Sequence, residues 1–174
     1  EGIDLYDSMG DQIVGDITSQ IMLWDAGSEV NQEPGLGSDQ APRQAGANTG
    51  AVDSDNTVRL ATDDFSNLPA VSDVVKVTLS STGDTGFTLR VENVSSSATL
   101  MTSDGNSHAV PLAPGVYVIH SGSDVLFDAG MMDYGYGLAN IAEDGDPSGL
   151  ATMLATDTGV TQLYAPGVYV VHES

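Results

Sequence analysis

The stretch VVKVTLSSTGDTGFTLRVENV, residues 74–94, decides the fold. Its two flanking runs, VVKVTLS (74–80) and FTLRVENV (87–94), alternate apolar and polar residues with period two. That period sets Val77 and Leu79 on one face of a first strand, and Phe87, Leu89 and Val91 on one face of a second. Between them TGDTG (82–86) reads as a turn, because glycine and aspartate tolerate the backbone angles a turn needs.

Working outward, ITSQIMLW (17–24), GVYVIH (115–120), DVLFDAG (124–130) and GVYVVH (167–172) are further short strand candidates, and SDGNS (103–107) is another turn. Helical signals are scarce. In DPSGLATMLAT (146–156), Asp146 suits the N-cap and Pro147 the first helical position. Leu150, Met153 and Leu154 then share one face at i, i+3 and i+4, which predicts a helix over 147–155. A second helical turn is predicted over 137–143. Many short strands with one or two short helices predict an all-β fold, an antiparallel β-sandwich, in a single domain of 174 residues. The segment 31–56 breaks the pattern. It is rich in Gly, Pro, Asn and Gln and too long for an ordinary connection. Arg43, one of only four cations, lies inside it, which predicts an ordered loop pinned in part by that guanidinium.

One phrase occurs twice. Ala113–His120 and Ala165–His172 agree at seven of eight positions. In each copy Pro fixes φ and Gly permits the turn, so shared local geometry is one explanation. The other is assembly: a strand near-identical to an internal one can occupy an equivalent groove in a neighbour by strand addition. An open head-to-tail repeat of that contact makes a filament. Val168, Tyr169, Val170 and Val171 are the expected assembly strand.

Composition narrows the partners. Four basic residues face 25 acidic ones, for a net charge of −21. Such a surface repels phosphate backbones, which argues against nucleic acid. Calcium, or a salty medium that screens self-repulsion, makes the charge tolerable; plain solubility of an acidic secreted protein is the simpler alternative. There is no cysteine, hence no disulfide, thiolate catalysis or zinc–thiolate site. No apolar run approaches the roughly 18 residues of a membrane span. The opening EGIDLYD, without methionine, looks processed or trimmed.

At LWDAGSEVNQEPG (23–35) the chain resembles the spondin domain family, the module at the N-terminal end of F-spondin and mindin and in secreted bacterial proteins. DAGSE (25–29) is similar to the family's Asp-Ala-Gly-Thr-Glu signature, with Ser28 for Thr. VENVSS (91–96), LAPGVYVIHSG (112–122), LFDAGM (126–131) and GLANIAEDGDPSGLATML (137–154) resemble the family's earlier half. The resemblance implies an antiparallel β-sandwich, similar to calcium-dependent lipid-binding domains, with a metal site in the loops at one end. It implies adhesive or matrix-type binding and no catalysis. The order departs from the family: residues 1–60 resemble its later half and 75–174 its earlier half, with an intervening strand and loop missing between Ser174 and Glu1. The domain is therefore expected to be permuted or completed by a neighbouring subunit, with Glu1 and Ser174 close to the sandwich. The missing segment bears directly on whether the metal site is complete within one chain.

Candidate sites follow from side-chain chemistry. Asp25 and Glu29 flank Gly27 on one tight turn, and hard cations need several oxygens at about 2.3–2.6 Å. The alternative is a turn carboxylate capping backbone N–H groups. AEDGDPSG (142–149) offers Asp144 and Asp146 as further calcium ligands, beside Glu143, although Asp146 is also the helix cap. Asp53 and Asp55, and the pair Asp63 and Asp64, read as solvated loop charges. His120 and His172 end equivalent strands and read as structural. Ser121 beside His120 is not a triad, and no nucleophile elbow or phosphate-cradling loop occurs. Asn93-Val94-Ser95 is a glycosylation sequon in a predicted strand. The expectation is a non-enzymatic, calcium-stabilised extracellular or cell-surface module, structural or adhesive, that assembles with copies of itself by strand exchange. The alternative is a monomeric secreted module that binds surface glycans.

Overall fold

The computed structural model describes residues 2–61, 65–120, 125–157, 162–163 and 168–172. Asp63, Asp64, Ser121, Asp124, the Pro166–Gly167 turn, Glu1 and Ser174 lie outside the described residues. The expected all-β class holds in its coarse form: the described chain consists of short antiparallel strands with few short helices.

The hairpin of residues 74–94 is the centre of the fold. Strands β4 (Val75–Ser81) and β5 (Gly86–Asn93) pair antiparallel, with Val77 opposite Val91 and Leu79 opposite Leu89. The turn closes through Thr82 N–H donating to Gly86 O at 2.8 Å. Alternation buries the expected face: Val77, Leu79 and Phe87 are buried with Ile17, and Leu89 and Val91 pack against them. Tyr6 meets the Phe87 ring edge-on, with centroids 5.4 Å apart. Strand β1 (Gly15–Asp16) adds to β4, and β10 (Val168–His172) adds to β5, giving the order β1-β4-β5-β10.

Three two-stranded pairs complete the strand set. They are β2 (Trp24–Asp25) with β3 (Arg59–Leu60), β6 (Leu100–Met101) with β7 (Ser107–His108), and β8 (Val116–Tyr117) with β9 (Gln162–Leu163). The turn predicted at 103–107 joins β6 to β7. Buried Thr102 holds it, donating its hydroxyl to Asp104 Oδ1 and Asn106 O.

Three strand expectations need correction. Residues 17–24 form no continuous strand. Asp16 accepts a bond from Thr18 N–H at 2.9 Å, and Thr18 Oγ1 accepts one from Val77 N–H at 2.9 Å. The first bond is local and the second comes from β4; together they replace a ladder, and Thr18–Gln20 coils into a single 3-10 turn. Ile17 remains buried in the core, so its apolar side chain was a packing signal and not a strand signal. Within the expected strand 124–130, described residues 125–130 also form no strand. Gly130 N–H donates to Val58 O and Val58 N–H to Met131 O, while Phe127 packs at a tilt of 59° against Trp24 with centroids 4.9 Å apart. The first repeated phrase contributes only Val116–Tyr117 to a ladder.

The helix expectation was close. Helix α2 spans Ser148–Asp157, after a four-residue helix α1 (Val71–Val74) that leads into β4. Asp146 Oδ1 accepts the Ser148 N–H at 2.9 Å, which is the expected cap. Of the predicted face Leu150 and Leu154 are buried and Met153 is half-buried; Ala151 is buried beside them. The expected turn before it is a π-helical turn over Asn140–Asp144, stopped by left-handed Gly145 at φ 66°. The 31–56 segment is an ordered run of turns: Arg43 Nε donates to Gly37 O at 2.8 Å and its Nη2 to Gln40 Oε1 at 3.1 Å.

Candidate functional site

The turn after β2 carries the most polar chemistry. Asp25 sits opposite Arg59 across the β2–β3 pair. Its Oδ1 accepts Gly27 N–H at 2.7 Å; its Oδ2 accepts from Asn31 Nδ2 at 2.7 Å and from Arg59 Nη2 at 2.6 Å. Gly27 is required twice over. Its φ is +69°, and a Cβ there would lie 2.4 Å from Thr57 O. The same guanidinium nitrogen reaches Asp53 Oδ2 at 2.8 Å, and Nη1 donates to Asp55 O at 2.7 Å, with the Asp55 carboxylate 4.0 Å away. One cation thus gathers three acids. The Asp55 N–H and the Arg59 fork hold the Asp53 carboxyl below the usual range, and the bond to Asp53 raises Arg59.

Asp53 and Asp55 are therefore not simply solvated charges. Arg59 was missed as their organiser, yet DSDNTVRL (53–60) carried the signal. Asp53, Asp55, Thr57 and Arg59 stand at alternate positions, so an extended backbone presents them on one side.

The second group surrounds Glu29. An antiparallel bridge joins Glu29 to Val52, and Glu29 Oε1 accepts Gly50 N–H at 3.0 Å. Gly50 leaves room for that carboxylate; a Cβ at this position would collide with Glu29 Oε2. The π-helical turn delivers Glu143 and Asp144 to the same place. Burial pushes the Glu143 carboxyl up, with Glu29 and Asp144 adding like-charge repulsion, while a bond from Ser28 opposes the rise. Glu143 Oε1 is buried without a hydrogen-bond partner. Asp144 Oδ1 accepts from Gln44 Nε2 at 2.7 Å.

Both groups open on one cavity of about 680 Å³. Asp25, Glu29, Asp39, Glu143 and Asp144 supply its acidic wall, and Trp24, Leu112, Pro114 and Ile141 its apolar wall. Of the four expected calcium ligands, the structure brings Asp25, Glu29 and Asp144 to this cavity. Asp146 stands outside its lining and caps α2. Asp25 is engaged by Arg59, Asn31 and Gly27, the capping role considered as its alternative. Among the described residues no group of three or more His, Asp or Glu side chains is arranged to hold an ion. Asn93, the sequon residue, donates its side-chain amide to Val110 O at 2.7 Å.

The expected assembly strand is β10. Its backbone pairs with β5 of the same chain, Val168 opposite Arg90, Tyr169 opposite Leu89, Val170 opposite Thr88 and Val171 opposite Phe87. No described helix is long and apolar enough to cross a membrane. No family model matches the chain, and neither a curated protein nor a solved structure does.

Proposed function

We propose that the protein is an extracellular structural or adhesive module, a calcium-stabilised β-sandwich of spondin type, that assembles head to tail with copies of itself. The observation that carries the reading is the place of β10. It forms the outer strand of the main sheet and has β5 as its only partner there among the described residues. An outer strand presents unpaired N–H and C=O groups, and these invite a further chain. The net charge of −21 opposes that step at low salt, so counterions act as the control. Calcium would act on Glu29, Glu143 and Asp144, three cavity acids that Arg59 does not reach; Asp39, the fourth, is engaged by Gln32.

Deleting residues 165–174 tests the reading. The expected result is loss of assembly with soluble monomer retained. Normal assembly by the truncated protein would remove β10 as the connector.

A second reading rests on Tyr134 and Tyr136. They are 39% and 46% exposed, with ring centroids 6.0 Å apart. Exposed aromatic faces suit the apolar faces of sugar rings, so this pair would be the contact of a surface-glycan-binding module. A glycan array that loses its signal on Tyr136→Ala would favour this reading.

A further inference from the structure

We propose that β5 is a strand-acceptor site that takes Val168–His172 from a second copy of this chain, in the register its own β10 occupies. The inference rests on the self-assembly reading and names the contact that would produce it.

The closed chain supplies the template. Five residues of β10 pair in sequence with β5, from Val168 opposite Arg90 to His172 opposite Gly86. A neighbour's β10 carries the same sequence and can make the same backbone bonds. Exchange therefore leaves the β5–β10 ladder unchanged and alters only which chain supplies the strand.

The repeated phrase shows that residue identity alone does not choose the partner. Val116–Tyr117 has the same residues as Val168–Tyr169, yet it pairs with Leu163 and Gln162 on β9 and not with β5. The same two residues thus take different backbone partners within one molecule.

The acceptor is worth filling. β5 is central to the sheet, with β4 on its other side along Ser81–Val75, and it carries buried Phe87. An empty β5 edge would expose N–H and C=O groups beside the core, each costing about 1–3 kcal/mol if left buried and unpaired. The pairing residues Gly86–Arg90 include one formal charge, Arg90, which is ion-paired to Glu92. Charge repulsion therefore acts between the bodies of two chains and not within the ladder, and salt should promote exchange without changing its register.

Cysteine pairing tests this directly, because the chain has no cysteine. Thr88 and Val170 are directly opposed. Opposed residues in antiparallel pairs have Cα atoms about 4.5–5.5 Å apart, within the disulfide window of about 4.4–6.8 Å. Full-length Thr88→Cys and Val170→Cys chains of different tag mass would be mixed at high salt and oxidised. The particle size of the unmodified protein would be followed in the same buffer. The expected result is a disulfide heterodimer in several-fold excess over either homodimer. The double variant Thr88→Cys/Val170→Cys should give a ladder of covalent multimers. Heterodimers no more abundant than homodimers would overturn the proposal. So would a double variant that closes only within one chain, or one that forms no disulfide. Large particles without heterodimer would remove strand exchange and leave self-assembly standing; an unmodified protein that stays at the mass of one chain would remove both.

Discussion

The β4–β5 hairpin and the acidic end around Arg59 are held by opposite physics. In the hairpin, Val77, Leu79, Phe87 and Ile17 exclude water, and the backbone ladder satisfies the polar groups. Around Arg59, Asp25, Asp53 and Asp55 converge on one guanidinium, and side-chain bonds supplement a ladder only two residues long. Apolar burial is indifferent to pH and gains from screening only indirectly. A charge cluster depends on protonation, salt and each of its members. In a chain of net charge −21, conditions should therefore act first on the acidic end and only later on the hairpin.

The largest single effect should come from the core. Phe87→Ala removes a ring that is 1% exposed and packs against Tyr6, and should cost about 3–5 kcal/mol in denaturant unfolding. A loss under 1 kcal/mol would mean that the hairpin face is not the organising core. Next is Arg59→Ala, which strands Asp25, whose side chain is 8% exposed, without its cation. The expected cost is about 1–3 kcal/mol. It falls below the roughly 3–5 of a fully buried pair because Arg59 is 27% exposed and solvent screens it. Arg59→Lys should recover only part of the loss, since one ammonium cannot reproduce the fork. Equal stability of both variants and the parent would show that the acid cluster does not hold the 53–59 segment.

Acid titration separates the regions further. Asp16, Asp53, Asp104 and Asp146 all have carboxyls held below the ordinary value by hydrogen bonds, from Thr18, Asp55, Thr102 and Ser148 respectively. A depressed folded value means stability that is fully present above the unfolded value, about 3.9 for Asp, and lost as pH falls through the folded one. Glu143 runs the other way. Its folded carboxyl keeps its proton longer, so stability declines as pH rises from the unfolded Glu value, about 4.3, through the raised folded value. Glu143→Gln should therefore raise the melting temperature at pH 7 and change it little at pH 4. An equal shift at both pH values would mean that the charge on Glu143 is not the cause. The same substitution should shrink the stabilisation by millimolar calcium, measured against EDTA at fixed ionic strength. An undiminished calcium response would place the ion elsewhere. The smallest effect expected here is that of Asp146→Ala, a slight loss of melting temperature from the unsatisfied first turn of α2.

The same contrast explains what could be read from sequence. Period-two alternation made β4, β5 and their buried faces legible, because one face of a sheet must be apolar. The i, i+3, i+4 spacing and the Asp146–Pro147 start did the same for α2. Ile17–Trp24 misled because its β-branched residues look like a strand, while the turn is set by a local bond from Thr18 N–H to Asp16 and a distant one from Val77 N–H to the Thr18 hydroxyl. The acidic cavity was legible in part. DAGSE and EDGD mark Asp25, Glu29 and Asp144, but nothing local reveals that Arg59 claims Asp25 or that Gly50 makes room for Glu29. Those pairings depend on how the 31–56 loop closes, and turns without periodicity leave no pattern to read.

On the proposed reading, salt and calcium release this acidic chain into β10-dependent assembly. Sedimentation of the intact protein, from 0.05 to 2 M sodium chloride with and without millimolar calcium, tests it most directly. The expected result is particles of one chain mass, 17.9 kDa, at low salt, and a growing, concentration-dependent population of larger ones as salt and calcium rise. A mass that stays at 17.9 kDa across that range at high protein concentration would contradict it.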